Sequence, residues 1–133
     1  MKYFTIDELC RSSIAKERNI YNTPTKSVVE NLEALVYNVL DPLRDAYGKP
    51  IIVNSGYRSN TLNAVIGGAK NSQHMYGEAV DITTGTKYGN KIIFDYIFRH
   101  LPYDQLINEK DYSWVHVSYK NNDTNRQQVL CLK

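Results

Sequence analysis

The sequence predicts an α+β fold, with a mainly antiparallel sheet packed against one long helix and several shorter ones. Two patterns carry this reading. Val28, Val29, Leu32, Leu35, Val36, Val39, Leu40, Leu43 and Tyr47 recur at steps of three and four, the signature of a long amphipathic helix. Short alternating runs bounded by polar turns cluster in the last third, so helices come early and strands late. A chain of 133 residues accommodates one domain, 1–133, with one core.

Thr5 followed by Glu8 is a capping pattern that starts a short helix running to about Arg11. A further helical turn is expected around Ser13 to Asn19. Asn22-Thr23-Pro24-Thr25 is a turn, after which the long helix runs to about Gly48, with Pro42 expected to kink or break its last turns. Pro50 to Asn54 is a short apolar run, predicted as a buried strand. Ser55 to Ser59 leaves it in a turn, Asn60 to Ile66 is a short helix stopped by Gly67-Gly68, and Ala69 to Gly77 reads as loop. Glu78 to Thr83 is a strand and Tyr88 to Arg99 a helix. Asp104 to Asn108, Trp114 to Tyr119 and Gln127 to Leu132 are three strands. The first two pair through a Glu109-to-Tyr112 turn, and a polar turn at Asn121 to Asn125 precedes the third.

Composition limits what the chain does. Hydrophobic residues are 42% and charged residues 23%, with a net charge of +2 and no basic run. Binding driven by phosphate neutralisation is therefore not expected, and no nucleic-acid partner is predicted. No stretch approaches the roughly twenty apolar residues of a membrane span. The N-terminus lacks an apolar core of signal-peptide length, so cytoplasmic synthesis is expected, with any export by another route. Cys10 and Cys131 form no disulfide framework and read as free thiols. Eleven tyrosines suit either amphipathic core edges or a groove for a polar polymer.

The chemistry concentrates in two segments. His74 and Asp81 lie seven positions apart, and Gly77 between them lets the backbone turn so that both side chains can face one point. In Trp114-Val115-His116-Val117-Ser118, alternation puts Trp114, His116 and Ser118 on one face and the valines on the core side. Two imidazoles and one carboxylate are the ligand set of a catalytic zinc with a position open for water. Taken singly, each histidine reads as well as a capping or hydrogen-bonding residue. Arg58, following Gly56-Tyr57, suits a substrate carboxylate or a polarised carbonyl, and equally a surface ion pair. Proton transfer needs a further group. His100, Glu78, Glu109 and Asp111 are available; alternation puts Glu78 opposite Asp81, whereas Glu109 and Asp111 flank the turn leading to His116.

Ser55-Gly56-Tyr57-Arg58-Ser59, Gly67-Gly68-Ala69, Ser72-Gln73-His74-Met75-Tyr76-Gly77-Glu78-Ala79-Val80-Asp81 and Trp114-Val115-His116-Val117-Ser118 together resemble the zinc D-alanyl-D-alanine carboxypeptidases. These are cell-wall metallopeptidases that share a fold with hedgehog signalling domains. The chain is most similar to their short bacterial and phage branch. The resemblance implies one Zn²⁺ per chain on His74, Asp81 and His116, and Arg58 near the scissile carbonyl or terminal carboxylate. Several relatives carry a glutamate three residues before the last histidine ligand, where this chain has Ser113. The base implied here is Glu109, with Asp111 second. Tyr57, Ser72, Gln73 and Trp114 are candidate cleft residues. The implied partners are peptidoglycan stem peptides, met by a monomer. The expected activity is hydrolysis beside D-amino acids, as carboxypeptidase or endopeptidase, in phage lysis after holin-type release or in bacterial wall remodelling. The alternative is a zinc-bearing binding module without turnover on the same scaffold.

Overall fold

A computed structural model describes residues 1–122 and 124–133. Two short helices, α1 (Ile6–Cys10) and α2 (Ser13–Glu17), each begin where a hydroxyl, Thr5 or Ser12, accepts a backbone N–H three residues on. The long amphipathic segment forms α3 (Lys26–Leu35), a π-helical turn (Val36–Leu40) and α4 (Asp41–Tyr47), capped by left-handed Gly48. Pro42, expected to kink or break the last turns, stands in the first turn of α4, directly after an interruption of the α-helix. The irregularity lies just before it. Proline cannot donate to residue 38 and its ring crowds that carbonyl, and the π turn widens the ladder there.

Five strands form one sheet in the order β1-β2-β4-β3-β5: β1 (Ile52–Ser55), β2 (Ala79–Thr83), β3 (Gln105–Glu109), β4 (Trp114–Ser118) and β5 (Gln128–Leu132). The β1–β2, β2–β4 and β4–β3 pairs are antiparallel, whereas β5 runs parallel to β3. The chain therefore joins α and β elements around a mostly antiparallel sheet. The apolar run at Pro50 to Asn54 is not a buried strand; β1 is an edge strand whose Ile52 is exposed. An apolar run does not report which edge it will occupy. The polar turn expected at Asn121 to Asn125 includes Asp123, which lies outside the described residues.

The core fills one face of the sheet. Val80, Ile82, Leu106, Val115 and Val117 meet Leu32, Leu35, Val36, Val39, Leu40 and Leu43 of the long helix. They also meet Ile93, Phe94 and Ile97 of α6 (Lys87–His100), and these strand residues are all fully buried. The opposite face of the same strands is open, and it carries Asp81, His116 and Glu109. Two further elements lie beside that face: α5 (Asn60–Val65) and a 3₁₀ turn (Gln73–Tyr76) within the stretch expected as loop. Among the described residues no helix is long and apolar enough to cross a membrane.

Candidate metal centre

Strand register builds the first half of the site. Asp81 of β2 lies directly opposite His116 of β4, which lies opposite Ile107 of β3. Directly paired residues share a face with Cβ atoms about 5 Å apart. His116 Nδ1 sits 2.9 Å from Asp81 Oδ1. His74 arrives from the 3₁₀ turn. Ser72 caps that turn by accepting the His74 N–H, and Gly77 ends it at φ 73°. A side chain at 77 would also meet the Val28 carbonyl at 2.7 Å, so the turn needs glycine for room as well as for conformation.

His74 is buried, and its Nδ1–H donates to the Gly56 carbonyl at 2.8 Å. That bond orients the ring and points Nε2 toward Asp81 Oδ2, 3.4 Å away. One donor atom from each of His74, Asp81 and His116 lies within 4.8 Å of the others. Two zinc–donor bonds of about 2.0–2.2 Å nearly cover that span. Two imidazoles and a carboxylate, one ring already oriented through its far nitrogen, fit a zinc ion. Burial pushes the Asp81 carboxyl up. Hydrogen bonds and charge from His116 and His74 outweigh it and hold the group well below the usual carboxylate range, so Asp81 is an anionic donor at neutral pH.

Arg58 lies against this cluster and is braced by the protein. Its Nε donates to Ser55 Oγ at 3.1 Å and Nη1 to Asn63 Oδ1 at 3.2 Å, while Nη2 is 3.6 Å from Asp81 Oδ2. Burial lowers its pKa against the opposing Asp81 charge, and a guanidinium stays protonated regardless.

Beyond His116 the open face becomes a cleft of about 340 Å³, whose walls include Ser72, Gln73, Ile107, Glu109, His116 and Arg126. Glu109 is half-buried and pairs with Trp114, so it shares a face with His116. Trp114 stands at the end of that face, with the Lys110 ammonium 5.5 Å from its ring centre.

Other expected residues lie elsewhere. Asp111 is exposed in a left-handed turn, 3.6 Å from Lys87, and borders a separate recess with Cys131 and Leu132. Sequence adjacency to Glu109 does not bring it to His116, because the turn carries it past the strand end. Tyr57 is a core residue rather than a cleft wall. Its N–H donates to Leu9 O, and its remaining exposed edge faces a different recess beside Arg58. Glu78 precedes β2, with its Oε1 3.4 Å from Gln73 Nε2. His100 is exposed against Tyr96 at the end of α6. Cys10 and Cys131 are both free thiols. α1 packs on β1 and Cys131 is on β5, so four strand spacings of about 4.8 Å separate the two edges.

Three contributors escape sequence reasoning: the Gly56 carbonyl, and the pair Asp104 and Arg126. Asp104 is fully buried and accepts from Arg126 Nε, Nη2 and backbone N–H, and from Gln73 Nε2 at 3.0 Å. Nothing local in the sequence links two residues 22 positions apart.

A curated relative, the zinc D-Ala-D-Ala carboxypeptidase of Streptomyces albus G, is 53% identical over 49 residues, which are 36% of this chain. The match spans 19% of that protein's length. The family model described as Peptidase M15 matches residues 2–118, and with the two histidines and aspartate gathered on the open sheet face, the chain belongs to the peptidase M15 family.

Proposed function

We propose that this protein is a zinc peptidase acting on peptidoglycan peptides, hydrolysing a bond beside a D-amino acid on the scaffold shared by DD-peptidases and hedgehog domains. The observation that carries the reading is the convergence of His74, Asp81 and His116 on a face that also bears Glu109. His74 Nε2, an Asp81 oxygen and His116 Nδ1 would hold the ion. Zinc, when bound, supplies a Lewis acid and lowers the pKa of a coordinated water to about 7.

The side chains do the rest. Glu109 accepts a proton from the attacking water and returns it to the amine as the C–N bond breaks, so one carboxylate serves both directions of transfer. Arg58 stabilises negative charge on the carbonyl oxygen or holds the terminal carboxylate, with the guanidinium edge that Ser55 and Asn63 leave open. Its bracing fixes that position in advance, so little rotamer freedom is lost on binding. Ser72 and Gln73 line the cleft, and Trp114 shares the face of Glu109 and His116.

Carboxypeptidase and endopeptidase action share this chemistry and differ in how much peptide continues past the scissile bond. The role as a phage or prophage lysin, working as a monomer at the wall after holin-type release, is the biological setting we favour. Incubating the zinc-loaded protein with purified muropeptides tests the proposal. Released D-alanine or a new peptide amine, abolished by chelation and restored by zinc, is the expected result. Tight muropeptide binding with neither product would replace the peptidase reading with a zinc-bearing binding module, consistent with Ser113 standing where several relatives have glutamate.

A further inference from the structure

We infer that Arg126 is a specificity residue that holds a carboxylate of the bound peptide on the Glu109 side of the cleft; this rests on the peptide-binding reading above. Arg126 lies beyond residues 2–118, the span of the family match, two residues before β5 begins at Gln128. It is fixed there by neighbouring bonds. Its backbone N–H donates to Asp104 Oδ1 at 2.9 Å, Gln127 N–H to Tyr103 O and Gln128 N–H to Asp104 O.

The side chain is split between two tasks. A guanidinium has two edges able to grip a carboxylate, one through Nε and Nη2 and one through Nη1 and Nη2. The first is taken by Asp104, with Nε at 3.1 Å from Oδ1 and Nη2 at 2.7 Å from Oδ2. The second meets no acceptor among the described residues. Asp104 is wholly buried, yet the Arg126 side chain is 49% exposed, and it lines the same cleft as His116 and Glu109.

Position gives the edge its meaning. Arg58 borders a recess that lacks His116, and Arg126 borders a cleft that lacks Arg58. Arg58 follows β1 and Arg126 precedes β5, the two edge strands, with Asp81 on β2 and His116 on β4 between them, so the two guanidiniums stand on opposite sides of the metal cluster. A peptide lying across the cluster meets one cation on each side of its scissile bond. Glu109 shares the cleft with Arg126, and a neutral peptide there would leave the open edge unanswered, whereas a carboxylate completes a second two-point contact. The implied substrate class is a peptide with an acidic residue on the Glu109 side of the cleft, in addition to the group Arg58 engages.

The test uses a matched pair of synthetic stem peptides with the same C-terminal carboxylate, alike except that an acidic residue within the chain beside the scissile bond carries a free carboxylate in one and a primary carboxamide in the other. For the zinc-loaded wild type, kcat/KM should favour the carboxylate peptide by about tenfold or more, mostly through KM, the size expected of one charge-assisted contact. Arg126→Gln should shrink the preference to within about twofold by weakening only the carboxylate peptide, and Arg126→Lys should keep part of it. Arg126→Gln leaves the Asp104 carboxylate buried without its guanidinium, so Asp104→Asn/Arg126→Gln is tested beside it and should lose the preference equally while folded. No wild-type preference, or an equal loss on both peptides in both variants, overturns the inference. Calorimetric binding of the same pair separates it from the peptidase reading. Binding that favours the carboxylate through Arg126, without hydrolysis, supports the anchor and sinks the peptidase. Hydrolysis without preference does the reverse.

Discussion

The two faces of β2, β3 and β4 are built from alternate residues of the same three strands and obey different rules. On the inner face Val80, Ile82, Leu106, Val115 and Val117 are fully buried against the long helix and α6. On the outer face Asp81, Ile107, Glu109, Trp114 and His116 look onto an open groove. The inner face tolerates many apolar solutions, since burial is non-directional and scales with area. The outer face depends on atoms within a few ångströms of one another, so its residues are not interchangeable. Inner-face changes should therefore act on stability and outer-face changes on chemistry, and variants one residue apart along a strand can break that division.

The largest effect is expected at the ligands. His116→Ala or Asp81→Ala should reduce zinc from about one per chain to a small fraction by elemental analysis, with activity down by at least about 10³-fold. Full zinc content in either variant would remove that residue from the ligand set. Glu109→Gln comes next. It should cut kcat by about 10²–10⁴-fold, the usual worth of a general acid–base, while zinc content and melting temperature stay near wild type. Wild-type turnover would move the proton transfer elsewhere on the cleft.

Three positions away on the same strand, Leu106→Ala should do the opposite. Leu106 is fully buried, and truncation costs about 2–5 kcal/mol through lost burial and the cavity left behind. Urea unfolding should register that loss, while kcat at 25 °C in the surviving folded protein changes by less than about threefold. A collapse of kcat with unchanged stability would mean that the two faces are coupled through β3.

Sequence periodicity revealed the inner face because burial repeats at the period of the element: three and four in the long helix, two in the strands. The cluster of His74, Asp81 and His116 was legible for a different reason. Gly77 bends the chain between His74 and Asp81, and alternation put His116 opposite the valines. What stayed hidden depends on tertiary placement. β1 grew from a short apolar run and lies at an edge, whereas the more polar segment that became β3 is interior. The parallel alignment of β5 follows from where its connection lands, not from its composition. Glu109 and Asp111 are near neighbours in sequence, and only the turn geometry separates a cleft residue from an exposed one. Asp104 and Arg126 became partners because β5 docks beside β3, which no local pattern encodes.

The smallest expected effect, and the sharpest test of how far the outer-face network matters to folding, is the pH dependence set by Asp104. Burial raises its carboxyl, but the hydrogen bonds and charge of Arg126 outweigh that and leave it below the ordinary range. Around pH 4 the unfolded chain therefore binds a proton at this position and the folded chain does not. The unfolded state binding more protons means that stability rises with pH. The Asp104 contribution is fully present above about pH 5 and is lost as pH falls through and below the ordinary carboxylate value of about 3.9. Metal-free wild type and Asp104→Asn, compared by urea midpoint from pH 6 to pH 3, isolate it, because Asp81 titrates in the same direction in both and largely cancels. The wild-type advantage should be flat from pH 6 to 5 and shrink toward pH 3. A gap that widens on acidification would mean that Asp104 is held in its protonated form. Arg126 would then owe its position to the backbone bonds at the start of β5 rather than to the buried carboxylate.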